Sequence, residues 1–188
     1  MKRQQFTLLS ILFFGVTISS AASLPLAGVP NFYKVDNQVY RGAQPTVEGF
    51  VSLAKLGVKT VIDLRELGEH SQAGEEAIVK AQGMQYLSIP LKKMGTPSVE
   101  TISRILGLLN DSSAGPVFVH CKRGADRTGA VIACYRISHD SWSNAQALSE
   151  ASNDGMSAFQ RALKHYVKQF TPIPPTSPTA SYATAVAQ

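Results

Sequence analysis

Cysteine is scarce in this sequence: Cys121 and Cys134 are the only two in 188 residues. They do not form a C-x-x-C pair, which argues against a dithiol redox protein. A structural disulfide between them is disfavoured, because Cys134 falls about two turns into a helix leading away from Cys121. Cys134 therefore reads as a buried core thiol. Charge is thin as well, with acids and bases at 16% of the chain and a formal net charge of +5. No basic stripe interleaved with aromatic residues is present, so a nucleic-acid partner is not expected. Long apolar runs are missing too. The run over residues 6–18 covers 13 positions, short of the roughly 20 that a spanning helix requires. No internal repeat is visible, and Glu66, Glu69 and His70 lack a metal-ligand pattern and read as a solvated loop.

What is present begins with a targeting segment. Lys2 and Arg3 precede the apolar run, and the small residues Ser19, Ser20, Ala21, Ala22 and Ser23 follow it. This order reads as a secretory signal peptide over residues 1–22, cleaved after Ala22. A periplasmic or secreted protein is expected, without stable membrane insertion once the signal is removed. Loss of Lys2 and Arg3 from a total of 18 basic residues leaves 16 against 13 acids, so any functional positive field must be local. Residues 23–30 are expected to be loosely held. The tail, residues 171–188, carries four prolines and no charged side chain, and it is expected to be unstructured.

Between these ends the pattern alternates. Strands are expected over residues 38–41, 58–64, 84–91 and 116–120, where β-branched and aromatic residues cluster between turn signals. Helices are expected over residues 46–56, 75–81, 99–109, 127–137, 143–151 and 156–170. The order β-α-β-α-β-α-β-loop-α-α-α predicts one α/β domain over residues 31–170, with a mainly parallel central sheet flanked by helices. In such folds ligands gather at the carboxyl ends of the strands.

The stretch VHCKRGADRTGAV, residues 119–131, occupies that position after the fourth strand. Gly124 permits a tight curl and small Ala125 keeps it open, so amides of residues 122–127 form a nest at a helix amino terminus. Arg127 offers a planar fork to a tetrahedral anion. Cys121 sits beside these positive groups, which favour its thiolate. A thiolate under such a cradle suits in-line attack on phosphorus, giving a cysteinyl-phosphate that water then hydrolyses. Amides and guanidinium supply the charge stabilisation, so neither metal nor other cofactor is called for. Thr128 has a hydroxyl to assist departure of the sulfur, and His120 braces the loop. Arg41 is placed to support the loop from beneath, and Asp63 with Arg65 reads as a structural ion pair.

His-Cys-x5-Arg-Thr-Gly resembles the signature of the cysteine-dependent protein tyrosine phosphatase superfamily. Its late position resembles the dual-specificity branch. Val39-Tyr40-Arg41-Gly42-Ala43-Gln44-Pro45 and Val61-Ile62-Asp63-Leu64-Arg65 are similar to the early strands of exported bacterial and of atypical plant and fungal dual-specificity phosphatases. Cys121-Lys122-Arg123-Gly124 is especially similar to the latter. The resemblance covers residues 32–170 and implies a dual-specificity phosphatase-like fold with Cys121 as nucleophile and Arg127 as phosphate ligand. Lys122, Arg123, Gly124, Ala125 and Thr128 would complete the substrate-binding loop. The family also implies a general-acid aspartate near residues 91–95, but LKKMG holds no carboxylate there. Asp126 is then the expected acid, placed before Arg127 as in myotubularin-related phosphoinositide phosphatases. Phosphorylated proteins are the leading substrate class and inositol phosphates or phosphoinositides the alternative. A phosphate-binding pseudophosphatase is the third reading.

Overall fold

The computed structural model describes residues 25–172. The signal peptide expected over residues 1–22 and most of the tail lie outside the described residues. The chain runs β1 (Tyr33–Lys34), β2 (Val39–Gly42), α1 (Val47–Lys55), β3 (Thr60–Asp63), α2 (Gln72–Ala81), β4 (Gln85–Ser88), α3 (Val99–Asn110), β5 (Val117–His120), α4 (Asp126–His139), α5 (Asn144–Asn153) and α6 (Arg161–Gln169). A 3-10 turn over Ser112–Ala114 precedes β5.

The five strands lie in the order β1-β2-β5-β3-β4. All neighbours are parallel except β1, which pairs antiparallel with β2 at one edge. The mainly parallel sheet is the α/β architecture expected from the sequence. β1 is new, being too short to show an alternating pattern. Strand β5 is central, and its last residue, His120, is in register with Gly42 of β2 and Asp63 of β3. The loops after β2, β3, β4 and β5 therefore emerge together at one end of the sheet.

Helix boundaries follow their caps. Ser71 accepts a hydrogen bond from Gly74 N through its hydroxyl, so α2 starts at Gln72 rather than at residue 75. Helix α6 starts at Arg161 rather than at residue 156, because residues 154–160 are taken up by turns. Residues 25–30 are not loosely held. Val29 is buried, Leu26 and Val29 form a bridge, and Gly28 O accepts from Thr46 N. A Cβ at Gly28 would come within 2.4 Å of Gly49 N, so only glycine allows the segment to lie against α1.

The sheet separates two apolar layers. One face packs Phe50, Leu53, Val61, Val79 and Phe118 against α1 and α2. The other packs Ile62, Val119, Ile102, Ile105, Leu109 and Leu163 around α4. Ten of the residues of α4 are buried, from Arg127 through Tyr135 plus Ile137. It lies between the sheet and α3, α5 and α6, which explains why its sequence has no polar face. Helix α4 is thus a rigid post, and its first turn sits at the carboxyl end of the central strand.

Candidate active site

Residues 121–125 link the end of β5 to α4. Four loop carbonyls are held from outside the loop: His120 O accepts from Leu64 N at 2.9 Å and Lys122 O from Gln44 N at 3.3 Å. Arg123 O accepts from Asn31 Nδ2 at 3.3 Å and Gly124 O from Arg41 Nη2 at 2.8 Å. Turning carbonyls outward turns the amides on the same peptide planes inward. Among the described residues, no protein group accepts from the amides of Lys122, Arg123, Gly124 or Ala125. These donors lie beside the first turn of α4, where the sequence predicts an anion nest. Gly124 has φ +68°, and a Cβ there would lie 2.3 Å from the carbonyl carbon of Gly42. Only glycine fits this crossing of the two loops.

Cys121 lies on the floor of the nest, buried with 1% exposure. Arg127 is buried beside it. Its Nη1 donates to Glu69 Oε1 at 2.5 Å and its Nη2 to Glu69 Oε2 at 3.1 Å. Nη1 also points to the carbonyls of Leu64 and Leu91, each at 3.4 Å. None of these acceptors engages Nε. Burial opposes the charge of Arg127, but Glu69 and Cys121 outweigh it and raise its pKa above the ordinary value. The Arg127 guanidinium in turn holds the Glu69 carboxyl below its ordinary range. Glu66, Glu69 and His70 do lie on a largely exposed loop, as read from the sequence, but their side chains are engaged. Glu69 anchors Arg127, His70 Nε2 lies 2.8 Å from Asp63 Oδ2, and Glu66 Oε2 accepts from Lys93 N at 2.9 Å.

Behind the nest is a buried ionic layer. His120 Nε2 lies 3.0 Å from Glu75 Oε1, so its ring faces α2, and among the described residues no side-chain hydrogen bond from it to the loop is formed. Arg65 pairs with Glu75 and bridges to both oxygens of Asp63 at 2.9 Å. Gln44 donates to Glu75 Oε2 at 3.0 Å and Tyr86 to Asp63 Oδ2 at 2.8 Å. Burial works against the charge on Glu75, but His120 and Arg65 outweigh it and keep the carboxyl below its ordinary range. Asp63, Glu75 and His120 approach within 4.8 Å of one another. Arg65 pairs with both carboxylates, so the three residues belong to an ion-pair network built around its guanidinium. Arg41 supports the loop from beneath as expected, joining Gly124 O to Asp154 Oδ2 at 2.7 Å.

The remaining candidates divide. Asp126 opens α4, its Oδ1 accepting from Ser157 N at 2.8 Å and its Oδ2 from Arg123 Nη1 at 3.2 Å. Both oxygens are thus engaged by donors. Thr128 is buried, and its hydroxyl has no protein partner among the described residues. The bond to the Cys121 sulfur expected for it is not formed. Lys122 and Arg123 are exposed. Cys121 and Cys134 are both free, and burial pushes the Cys134 thiol up to about 12, as a core thiol requires. Glu66 brings a carboxylate to the LKKMG segment from the neighbouring loop, where it accepts from the backbone of Lys93.

Comparison with known proteins gives the same architecture. Residues 29–169 match the family described as DSP-PTPase phosphatase fused to NAD+ kinase. The dual specificity protein phosphatase TpbA of Pseudomonas aeruginosa is 30% identical over 125 residues, covering 66% of this chain and 55% of TpbA. The inositol diphosphatase DSP4 of Arabidopsis thaliana is 32% identical over 110 residues, covering 56% of this chain and 54% of DSP4. The chain thus spans about 55% of the length of these curated relatives. The crystal structure of TpbA superposes with a TM-score of 0.67 at 29% identity, covering 81% of this chain and 92% of that one. The catalytic core of the PP-IP phosphatase SIW14 of S. cerevisiae superposes with a TM-score of 0.68 at 22% identity, covering 78% and 89%, a likeness of fold. With the matched span running from Val29 to the end of α6, the chain belongs to the DSP-PTPase family of dual-specificity-like cysteine phosphatases.

Proposed function

We propose that this protein is a metal-independent phosphatase that hydrolyses phosphotyrosine, phosphoserine or phosphothreonine in proteins through a cysteinyl-phosphate intermediate. The observation that carries this reading is the loop between β5 and α4, whose carbonyls are held from outside while its amides have no protein partner among the described residues, with Cys121 buried at its start and Arg127 in the helix turn that follows. In the first step the Cys121 sulfur attacks phosphorus in line, and the bond from phosphorus to the ester oxygen breaks. In the second, water attacks phosphorus and the sulfur leaves as a thiolate. TpbA is named as a dual specificity protein phosphatase, and a form of it has been solved in complex with pTyr, which supports a phosphorylated protein. Inositol phosphates are the second reading, favoured by Lys92, Lys93, Lys122 and Arg123, all exposed near the loop. The presence of both Cys121 and Arg127 argues against a pseudophosphatase.

A substrate panel tests the proposal. Phosphotyrosine peptide, phosphoserine peptide and inositol hexakisphosphate are incubated with the enzyme in excess chelator. Turnover of a phosphopeptide, undiminished by the chelator, is expected. Turnover of the inositol phosphate alone would select the second reading, and loss of activity in chelator would overturn metal independence.

The leaving oxygen needs a proton, and the proposal keeps Asp126 as its donor. A bound dianion would draw the exposed Arg123 toward itself and free Asp126 Oδ2 from their pairing. Asp126→Asn is expected to cost about 10² to 10⁴-fold on an alkyl phosphate and much less on an activated aryl phosphate. Equal losses on both would make Asp126 a clamp between the phosphate loop and residues 154–160. Full retention would shift the role to Glu66.

A further inference from the structure

Four loops at the carboxyl end of the sheet, among them the one that carries Cys121, are tied together by a ring of contacts. Glu66, after β3, accepts from Lys93 N at 2.9 Å, after β4. Lys93 O accepts from Gln160 Nε2 at 3.2 Å, before α6. Ser157 N, on the same α5-to-α6 connection, donates to Asp126 Oδ1 at 2.8 Å. Arg127 returns to the first loop through Glu69. The ring fixes where the neighbouring side chains of these loops stand relative to the nest.

Three of those neighbours are large and apolar. Leu67, Met94 and Phe159 are exposed at 73%, 65% and 81%. They are the three most exposed large hydrophobic side chains among the described residues, and each lies on a different loop of the ring. Scattered apolar residues on a surface need no explanation, but three on loops tied into one ring beside the Cys121 loop call for one. Lys92, Lys93 and Lys122 lie exposed on the same loops and belong to no ion pair among the described residues. The carboxylates of the ring, Glu66, Glu69 and Asp126, are already engaged within it. The rim is therefore apolar and cationic in its unengaged groups.

We propose that Leu67, Met94 and Phe159 form a docking rim for the residues flanking a phosphorylated tyrosine, and that they select peptide segments combining apolar with acidic neighbours. This rests on the reading of the protein as a protein phosphatase and names the class of segment it takes. An inositol phosphate has no apolar side chains to place on such a rim, whereas a peptide presents them on both sides of the phosphorylated residue. The free lysines complement acidic neighbours. A membrane surface would also meet apolar and cationic groups, but the three side chains come from separate loops. They do not form the continuous apolar face by which a helix lies in a lipid interface.

The test compares two acidic phosphotyrosine peptides, one with leucine and phenylalanine beside the phosphotyrosine and one with serine at both places. p-Nitrophenyl phosphate serves as a flank-free control. Wild type is expected to favour the apolar peptide by about tenfold or more in kcat/KM, mainly through KM. In Leu67→Ser/Met94→Ser/Phe159→Ser that preference should collapse toward one. Phe159→Ser alone, at the most exposed of the three positions, should show part of the collapse if the triple variant folds poorly. A wild-type preference near one, or one that survives the triple substitution, overturns the rim. Wild-type turnover of p-nitrophenyl phosphate with neither peptide cleaved overturns the protein-phosphatase reading itself. Sedimentation with phosphatidylserine vesicles that the triple substitution abolishes, with peptide preference unaltered, overturns the proposal in favour of a lipid surface.

Discussion

Cys121→Ser is expected to reduce turnover by about 10⁴-fold or more while leaving phosphate binding in place. The hydroxyl is a far weaker nucleophile than a thiolate, and the loop gives it no base to compensate: His120, the nearest imidazole in sequence, is turned to Glu75 at 3.0 Å behind the nest. The binding elements do not depend on sulfur. Outward carbonyls at His120, Lys122, Arg123 and Gly124 are held by Leu64, Gln44, Asn31 and Arg41, so the amides keep their direction in the variant. Single-turnover kinetics on an aryl phosphate and the thermal shift produced by added phosphate separate the two effects. The shift should persist in Cys121→Ser, because a ligand that binds only the folded state stabilises by mass action. Comparable turnover in variant and wild type would sink the cysteine mechanism. Loss of the phosphate-induced shift alongside turnover would mean that the sulfur also orders the loop.

Much of this site was legible in the chain because its parts are close in sequence. Cys121, Gly124 and Arg127 fall within one β-to-α connection, where a strand signal, a turn residue and a helix start locate an anion nest together. The parallel sheet was legible for a similar reason, since each strand and its crossover helix carry their own periodicity. Other features depend on chain crossings. Glu69 is 58 positions from the Arg127 it anchors, and no local pattern separates it from a solvated loop. Glu75 reads as an ordinary polar residue at the start of a helix, yet it is buried against His120 and Arg65. The one sequence hint was the density of charge after β3, at Asp63, Arg65, Glu66, Glu69 and His70, beside a strand buried on both faces. Buried strands rarely end in so many ionisable groups unless those groups are paired. The contact of Glu66 with Lys93 was hidden in the same way, so the LKKMG segment appeared to lack a carboxylate that a neighbouring loop brings to it.

Arg127→Lys is expected to lower kcat/KM by about 10³-fold or more, even though the charge is kept. Transition-state charge on a transferred phosphoryl group is spread over several oxygens, and removal of an arginine that meets it costs about 10³ to 10⁵-fold. An ammonium cannot hold Glu69, Leu64 O and Leu91 O on one side while presenting a fixed N–H to phosphate on the other. Glu69→Gln separates anchoring from catalysis. It leaves Arg127 in place but removes the charge that holds the guanidinium, and it should cost about tenfold in kcat/KM. The pH dependence follows from the lowered pKa of Glu69. A carboxyl with a depressed folded pKa contributes stability that is fully present above its unfolded value, about 4.3. That contribution is lost as pH falls through the lower folded value. The difference in Tm between wild type and Glu69→Gln should therefore be constant above about pH 5 and close below about pH 4. A gap independent of pH would show that the variant disturbs packing rather than the ion pair. A rise in kcat/KM for Glu69→Gln would give Glu69 the opposite part: its carboxylate would compete with phosphate for Arg127, and substrate would have to displace it before the sulfur could attack.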